Sequence, residues 1–248
     1  MNTGFLNQAD HRPWPMPDHR WVMRMRWHHL LFMHWPLEPA AIRERVPACL
    51  EVDCFEGHAW IGVVPFGMSD VALRSLPPFP GAGTFPEINV RTYVKVNGKP
   101  GVYFFSLDAA SWLAVKMARV TFRLPYFHAS IDQRNEAGSV RYRSRRWNPR
   151  NPKASFDARY GPSGPVYRSR PGNLDYWLTE RYCLYTVDKA GRAFRGDIHH
   201  IPWPIQTAHA TVKDNTMLAP LGLRVPDLPP LLHYAHQLDV VAWAIRPA

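Results

Sequence analysis

Hydrophobic and polar residues alternate along residues 86–94, and this alternation is the clearest pattern in the chain. Successive side chains of a β-strand point to opposite faces, so the alternation predicts a strand with one apolar and one polar face. The apolar face carries Ile88, Val90, Thr92 and Val94, and the polar face carries Glu87, Asn89, Arg91 and Tyr93. The first face suits a core. The second presents an acid, an amide, a guanidinium and a phenol in a row, and is therefore able to line a polar cavity.

The same patterns predict many short strands and a few short helices elsewhere. Strands are expected at residues 24–35, 50–55, 58–68, 101–107, 126–133, 139–147, 154–160, 181–187, 193–200, 205–212 and 233–245. Helices are expected at residues 38–46, 108–119 and 173–179. Residues 50–55 and 58–68 would form a hairpin around Glu56-Gly57. The predicted fold class is α+β, built mainly of antiparallel β-strands.

The chain is expected to be one domain over residues 21–248, preceded by an extended N-terminal arm over residues 1–20, because no repeat or composition break divides it. The 25 prolines favour short strands joined by stiff connections. No apolar run reaches the roughly 18 residues that a membrane span needs, and the arm lacks the apolar core of a signal peptide. We therefore expect a cytoplasmic protein without membrane contact.

One lysine, Lys116, is a candidate nucleophile on the helix predicted over residues 108–119. If Asp108 caps that helix, Trp112, Lys116 and Arg119 share a stripe along it. Burial beside tryptophan and the like charge of the arginine both lower the pKa of a lysine, and a neutral amine forms an imine with a ketone. The alternative is an ordinary amphipathic lysine whose stem packs while its ammonium reaches water.

The polar face of residues 87–93 is a candidate substrate site. Arg91 suits the recognition of a carboxylate, and Glu87 suits proton transfer, with Asn89 and Tyr93 orienting the ligand. The alternative is an outer strand face that touches water. The next predicted strand, residues 101–107, is apolar on both faces, which favours an interior position for its partner as well.

A basic segment between Arg141 and Arg170 raises nucleic acid as a third kind of partner, since the net charge of the chain is +10. Arg141, Arg143 and Arg145 alternate onto one strand face and could follow phosphates. The alternative is a solvated outer face, and no recognised nucleic-acid motif accompanies the segment.

Metal and cofactor sites are not expected from the sequence. Cys49, Cys54 and Cys183 lack the spacing of metal ligands and are interpreted as free thiols. Adjacent histidines such as His28-His29 and His199-His200 point to opposite faces of a strand and do not chelate one ion together.

Several segments together resemble the YqjF-like family of uncharacterised bacterial proteins, which belongs with the acetoacetate decarboxylase-like fold. The matching segments are Leu31-Phe32-Met33-His34-Trp35-Pro36, residues 86–94, residues 101–108, Ala118-Arg119, Leu124-Pro125-Tyr126, residues 178–182 and His200-Ile201-Pro202-Trp203-Pro204. The resemblance implies a cone-shaped β-barrel with a central cavity and a few short helices. It does not imply a settled activity.

The resemblance also bears on Lys116. Acetoacetate decarboxylase uses a Schiff-base lysine in a Trp-x-x-x-Lys-Lys context, with a glutamate on a preceding strand. The segment from Trp112 to Met117 is similar to that context and places Lys116 at the nucleophile position, while Glu87 matches the glutamate. The second lysine, which activates its neighbour in the decarboxylase, is Met117 in this chain. Arg119 or desolvation would have to act in its place.

The sequence therefore predicts a protein that binds a small anionic carbonyl compound. If it is an enzyme, a carbon–carbon lyase of the decarboxylase type is expected, in which Lys116 forms the imine and Glu87 moves the proton. Arg91 or Arg119 would then hold the carboxylate, beside Trp112. The alternative is a non-catalytic ligand-binding or regulatory protein with the same cavity, which Met117 favours.

Overall fold

The structure is a computed structural model that describes residues 4–78, 83–112, 115–116, 122–136, 138–146 and 152–248. Its strands are β1 (Met23–Leu37), β2 (Glu51–Val52), β3 (Ala59–Leu73), β4 (Phe85–Val96), β5 (Lys99–Ala109), β6 (Tyr126–His128), β7 (Ser130–Glu136), β8 (Ser139–Arg146), β9 (Ala154–Pro162), β10 (Cys183–Val187), β11 (Ala193–His199), β12 (Ile205–Asn215), β13 (Leu231–Ala242) and β14 (Arg246–Pro247). The α-helices with assigned bounds are α1 (Pro39–Arg43) and α2 (Leu174–Thr179), and short 3-10 helices lie at Gly4–Asn7 and Ala219–Leu221. The prediction of a mainly antiparallel β protein with short helices is confirmed.

Seven of the strands form a closed circuit of hydrogen-bonded neighbours. The order is β11-β10-β5-β4-β3-β1-β13, and β13 pairs in turn with β11. This last pairing sets Ile198 opposite Ala242 and His199 opposite Val241. From β13 the sheet continues outward through β12, β9, β8 and β7. The result is a ring of strands with a second layer of sheet beside it.

Strand β4 lies between β3 and β5, so neither of its edges is open. Its apolar positions Ile88 and Val90 are almost fully buried and belong to one core cluster with Tyr142 of β8 and Phe156 of β9. Because side chains alternate, the opposite face of β4 points into the ring. The predicted division of β4 into a core face and a polar face is thus confirmed.

The helix predicted over residues 108–119 is wrong at its start. Asp108 lies in β5, fully buried, and its carboxylate pairs with the guanidinium of Arg146 instead of capping a helix. Helical conformation begins later, at Trp112, and the N–H of Val115 donates to the carbonyl of Ser111 at 3.0 Å. The predicted end of the helix, including Arg119, lies outside the described residues.

The hairpin predicted around Glu56-Gly57 is correct at its turn and wrong in its pairing. Phe55 and His58 exchange backbone hydrogen bonds of 2.9 and 3.0 Å. Strand β2, however, pairs with β4, with Val52 opposite Val94. The two-residue strand β2 therefore pairs with the C-terminal end of β4.

The segment before β1 lies against the outside of the ring near β11. Arg12 is buried and donates to the carbonyl of Ile198 at 2.7 Å, and the ring of Phe5 stacks on His199 at 5.6 Å. Within the described part of the chain, no helix has the length and apolar character needed to cross a membrane.

We expect Gly62→Ala to destabilise the fold. Gly62 of β3 lies opposite His34 of β1 and Arg91 of β4, and a Cβ atom there would lie 2.8 Å from the His34 ring. His34 is fully buried and has no space to yield, so the free energy of unfolding should fall by about 1–3 kcal/mol in urea denaturation.

Gly196→Ala is the matched control, because a Cβ atom at Gly196 would lie at an ordinary 3.4 Å from Leu184 and Ile245. This variant should keep the stability of the wild type or exceed it slightly, since alanine restricts the unfolded chain. Equal losses in both variants would contradict the proposed close approach of Gly62 to His34.

Candidate ligand-binding site

A cavity of about 190 Å³ lies inside the ring of strands. Most of its lining is apolar, and the part from β1, β3 and β4 includes Met23, Met25, Trp27, Phe66, Met68 and Phe85. Three polar side chains from the inner face of β4, Glu87, Asn89 and Arg91, complete that wall. The expectation that this strand face lines a cavity is therefore met at three of its four polar positions.

Among the described residues, the guanidinium of Arg91 has no acidic partner. Its Nη2 donates to the hydroxyl of Tyr93 at 3.4 Å, and its guanidinium carbon lies 5.0 Å from the ring centre of Phe32. Its Nε is buried without a hydrogen-bond partner, and it forms no ion pair with any residue that the structure describes. A half-buried cation held in this way is suited to bind an anion from the cavity.

Glu87 is 2% exposed and accepts a hydrogen bond of 2.9 Å from the hydroxyl of Tyr126. Burial raises the pKa of Glu87 to about 8, and the nearby carboxylate of Asp108 adds to the increase, while hydrogen bonds from Tyr126 and Asn89 oppose it. At neutral pH this carboxyl therefore holds its proton, and it can donate a hydrogen bond or a proton to a ligand.

Tyr93 does not line the cavity but supports Arg91 from behind. Its hydroxyl donates to the carbonyl of Leu178 at 2.8 Å, so the contact of 2.7 Å with His34 Nε2 has the imidazole as donor. Burial holds the pKa of His34 well below its usual value, and this histidine is neutral. The buried Tyr93–His34 pair thus fixes the hydroxyl that Arg91 contacts.

Two further polar residues in the cavity wall, Arg181 and His200, were not predicted as site residues. Arg181 is buried, pairs with Asp53 at 2.7 Å and stacks on Trp177, with its guanidinium carbon 4.3 Å from the ring centre. Its pairing partner lies 128 residues away, and the family resemblance over residues 178–182 was the available signal for this residue.

His200 is fully buried and presents an unused acceptor. Its Nδ1–H donates to the carbonyl of Ile201 at 2.7 Å, which leaves Nε2 as an acceptor without a partner among the described residues. Burial lowers the pKa of His200 to about 3, so the ring stays neutral. The segment His200-Ile201-Pro202-Trp203-Pro204, which carries part of the family resemblance, was the available signal for this residue.

Lys116 and Trp112 lie away from the cavity. Lys116 is exposed, its Nζ lies 5.2 Å from the ring centre of Trp112, and Trp112 itself is 61% exposed. Neither residue lines the cavity. The roles of Lys116 and Trp112 remain predictions that this geometry does not support, and the role predicted for Arg119 falls outside the described residues.

The basic segment is partly neutralised. Arg141, Arg143 and Arg145 do share the outer face of β8, but Arg143 pairs with Asp157 at 2.9 Å and Arg159 pairs with Glu136. Arg146 points inward to Asp108. Nucleic-acid binding by this face stays a prediction. Among the residues that can be described, no group of three or more His, Cys, Asp or Glu side chains is arranged to hold a metal ion.

The fold is that of acetoacetate decarboxylase-like proteins. The acetoacetate decarboxylase of Legionella pneumophila aligns with a TM-score of 0.61 at 13% identity, covering 100% of this chain and 97% of the other. The enduracididine biosynthesis enzyme MppR, complexed with pyruvate, aligns with a TM-score of 0.61 at 12% identity, covering 97% of this chain and 93% of the other. At such low identities the likeness concerns the fold alone.

The chain belongs to the DUF2071 family, described as an uncharacterized conserved protein, which matches residues 24–239. It is also 45% identical over 231 residues to the uncharacterized protein YqjF of Bacillus subtilis, covering 93% of this chain and 94% of that protein. The family resemblance inferred from the sequence segments is thereby confirmed.

We expect Glu87 to lower the stability of the protein between pH 5 and pH 7, in opposition to buried histidines such as His34 and His200, whose lowered pKa values make stability rise with pH. With a folded-state pKa of about 8 and an ordinary value of 4.5, folded Glu87 keeps a proton that the unfolded chain releases. Each pKa unit is worth about 1.4 kcal/mol, so this group lowers the free energy of unfolding by about 2–3 kcal/mol over that range. Glu87→Gln, which mimics the protonated carboxyl, should remove this part of the pH dependence in urea denaturation.

Glu38→Gln makes the same chemical change at an exposed position and is the matched control. It should keep the pH dependence of the wild type. If Glu87→Gln also keeps it, Glu87 is ionised in the folded protein at neutral pH and the description of the site is incorrect.

Proposed function

We propose that the protein binds a small carboxylate that also bears a carbonyl group, within the cavity of the ring. The observation that carries this proposal is the guanidinium of Arg91, half-buried in the cavity wall and without an acidic partner among the described residues. A buried charge without a counter-ion is costly, and a bound anion would offset that cost.

The protonation state of Glu87 supports the same conclusion. An ionised Glu87 would oppose the entry of an anion into the cavity, whereas the protonated carboxyl does not. The protonated carboxyl can donate a hydrogen bond to a ligand oxygen, and Arg91 can bind the carboxylate through two parallel hydrogen bonds. If the ring of strands is the cone-shaped barrel that the resemblance implies, its wall would keep the bound ligand away from water.

The relatives in structure agree with a ligand of this class. MppR was solved with pyruvate, and acetoacetate decarboxylase is named for a keto acid. The shared fold supplies the cavity, and the residues of this chain must supply the recognition.

A carbon–carbon lyase is the second candidate, favoured by Glu87 as a proton donor in the cavity. The imine chemistry needs Lys116 near the ligand, and the exposed position of Lys116 argues against it. We therefore favour binding without a covalent intermediate at Lys116.

The first test is the affinity of an Arg91→Met variant for pyruvate and for β-keto acids, measured by isothermal titration calorimetry. Methionine keeps the apolar stem of the side chain and removes the charge. Loss of a buried charged partner costs 2 kcal/mol or more, so binding should weaken by about 30-fold or more.

Arg145→Met removes an exposed arginine of β8 and should bind these acids as the wild type does at moderate salt. Thermal unfolding would first show that both proteins are folded. Equal affinity of Arg91→Met and the wild type for these acids would then exclude Arg91 as the anion site.

The second test is borohydride trapping in the presence of the same keto acids. We expect no added mass on the peptide that contains Lys116, and unchanged keto-acid affinity in Lys116→Arg, which keeps the charge but cannot form the imine under these conditions. A stable adduct on Lys116 that is absent from Lys116→Arg would instead establish imine formation at Lys116 and contradict binding without a covalent intermediate.

A further inference from the structure

The cavity changes from polar to apolar along the strands that form its wall. On β4 the inward positions are Arg91, Asn89, Glu87 and then Phe85. Phe85 lies opposite Met68 of β3, and Met68 lies opposite Trp27 of β1. The apolar wall then continues to Met25, Met23 and Leu73. The carboxylate site at Arg91 is therefore followed by an acid group and then by a long apolar region.

The length of this wall exceeds that of a short keto acid. Arg91 and Glu87 are four residues apart, or about 13 Å along a strand, and Arg91 and Phe85 are six apart, or about 20 Å. An acid of three or four carbons is roughly 5 Å long. A molecule of that size bound at Arg91 would leave the apolar region of the cavity empty or filled with poorly bonded water.

The apolar region is also adaptable. Met23, Met25 and Met68 all line it, and unbranched thioether side chains adjust to ligands of different shape. The nearby rings of Trp27 and Phe66 pack at 6.0 Å between centres and give this part of the wall a rigid aromatic surface.

From these observations we infer that the ligand is a carboxylic acid with an extended apolar body, and that a short keto acid fills only part of the site. The carboxylate binds Arg91, and the body lies along β4 toward Phe85 and the three methionines. This inference rests on the proposed function, since it takes Arg91 as the carboxylate site.

The test is a series of straight-chain 2-oxo acids from about three to ten carbons, titrated calorimetrically into the wild-type protein. Burial of each added methylene should strengthen binding by up to about fourfold until the cavity is filled. The longer acids should therefore bind at least about 100-fold more tightly than pyruvate. Equal affinity along the series would overturn the inference.

Two variants test where the apolar body of the ligand binds. Met23→Trp fills the far end of the cavity from a half-buried position and should weaken the binding of the longest acids by about tenfold or more relative to that of pyruvate. Val212→Trp, at a position that is 40% exposed on β12, is the control and should leave the series unchanged. A Met23→Trp variant that keeps the full gain with chain length would contradict the inferred placement.

The series also separates the two proposals. If no acid of any length binds, or if Arg91→Met binds all of them as the wild type does, the proposed function itself fails. If short acids bind through Arg91 and chain length adds nothing, the proposed function stands and only the inference of an apolar body fails.

Discussion

The site depends on one constraint, the burial of the polar face of β4 inside the ring of strands. Because β3 and β5 occupy both edges of β4 and the core covers its apolar face, Glu87, Asn89 and Arg91 face the cavity. Burial raises the pKa of Glu87 to about 8. The proposed function depends on this protonated carboxyl and on the guanidinium of Arg91, which has no acidic partner among the described residues.

Buried polar groups behind the wall hold this arrangement in place. Tyr93 contacts Arg91 and His34, and a Cβ atom added at Gly62 would lie 2.8 Å from the His34 ring. Asp108 is held by Arg146 next to Glu87 along the sheet and adds to the increase in its pKa. These contacts join residues from different strands, so several elements must meet before the site exists.

The comparison with decarboxylase-like structures shows a shared fold, and it does not show shared reacting groups. The chain shares their fold at 13% identity or less in the two alignments described above, yet the amine that the lyase mechanism requires is exposed at Lys116, and Met117 stands at the position of the activating lysine. A ring of strands can keep its cavity while the reacting groups change, because the cavity is formed by the backbone circuit and the chemistry by a few side chains.

Local patterns were enough to predict the strand character of β4, its two faces and the α+β class, because alternation in a strand depends only on neighbouring residues. They misplaced Asp108 at a helix start and did not place Arg181 or His200 in the site. Asp108 pairs with Arg146, 38 residues away, and Arg181 pairs with Asp53, 128 residues away. Such pairs depend on the assembled strand circuit, so the depth of burial, the proton on Glu87 and the exposure of Lys116 followed from the assembled fold.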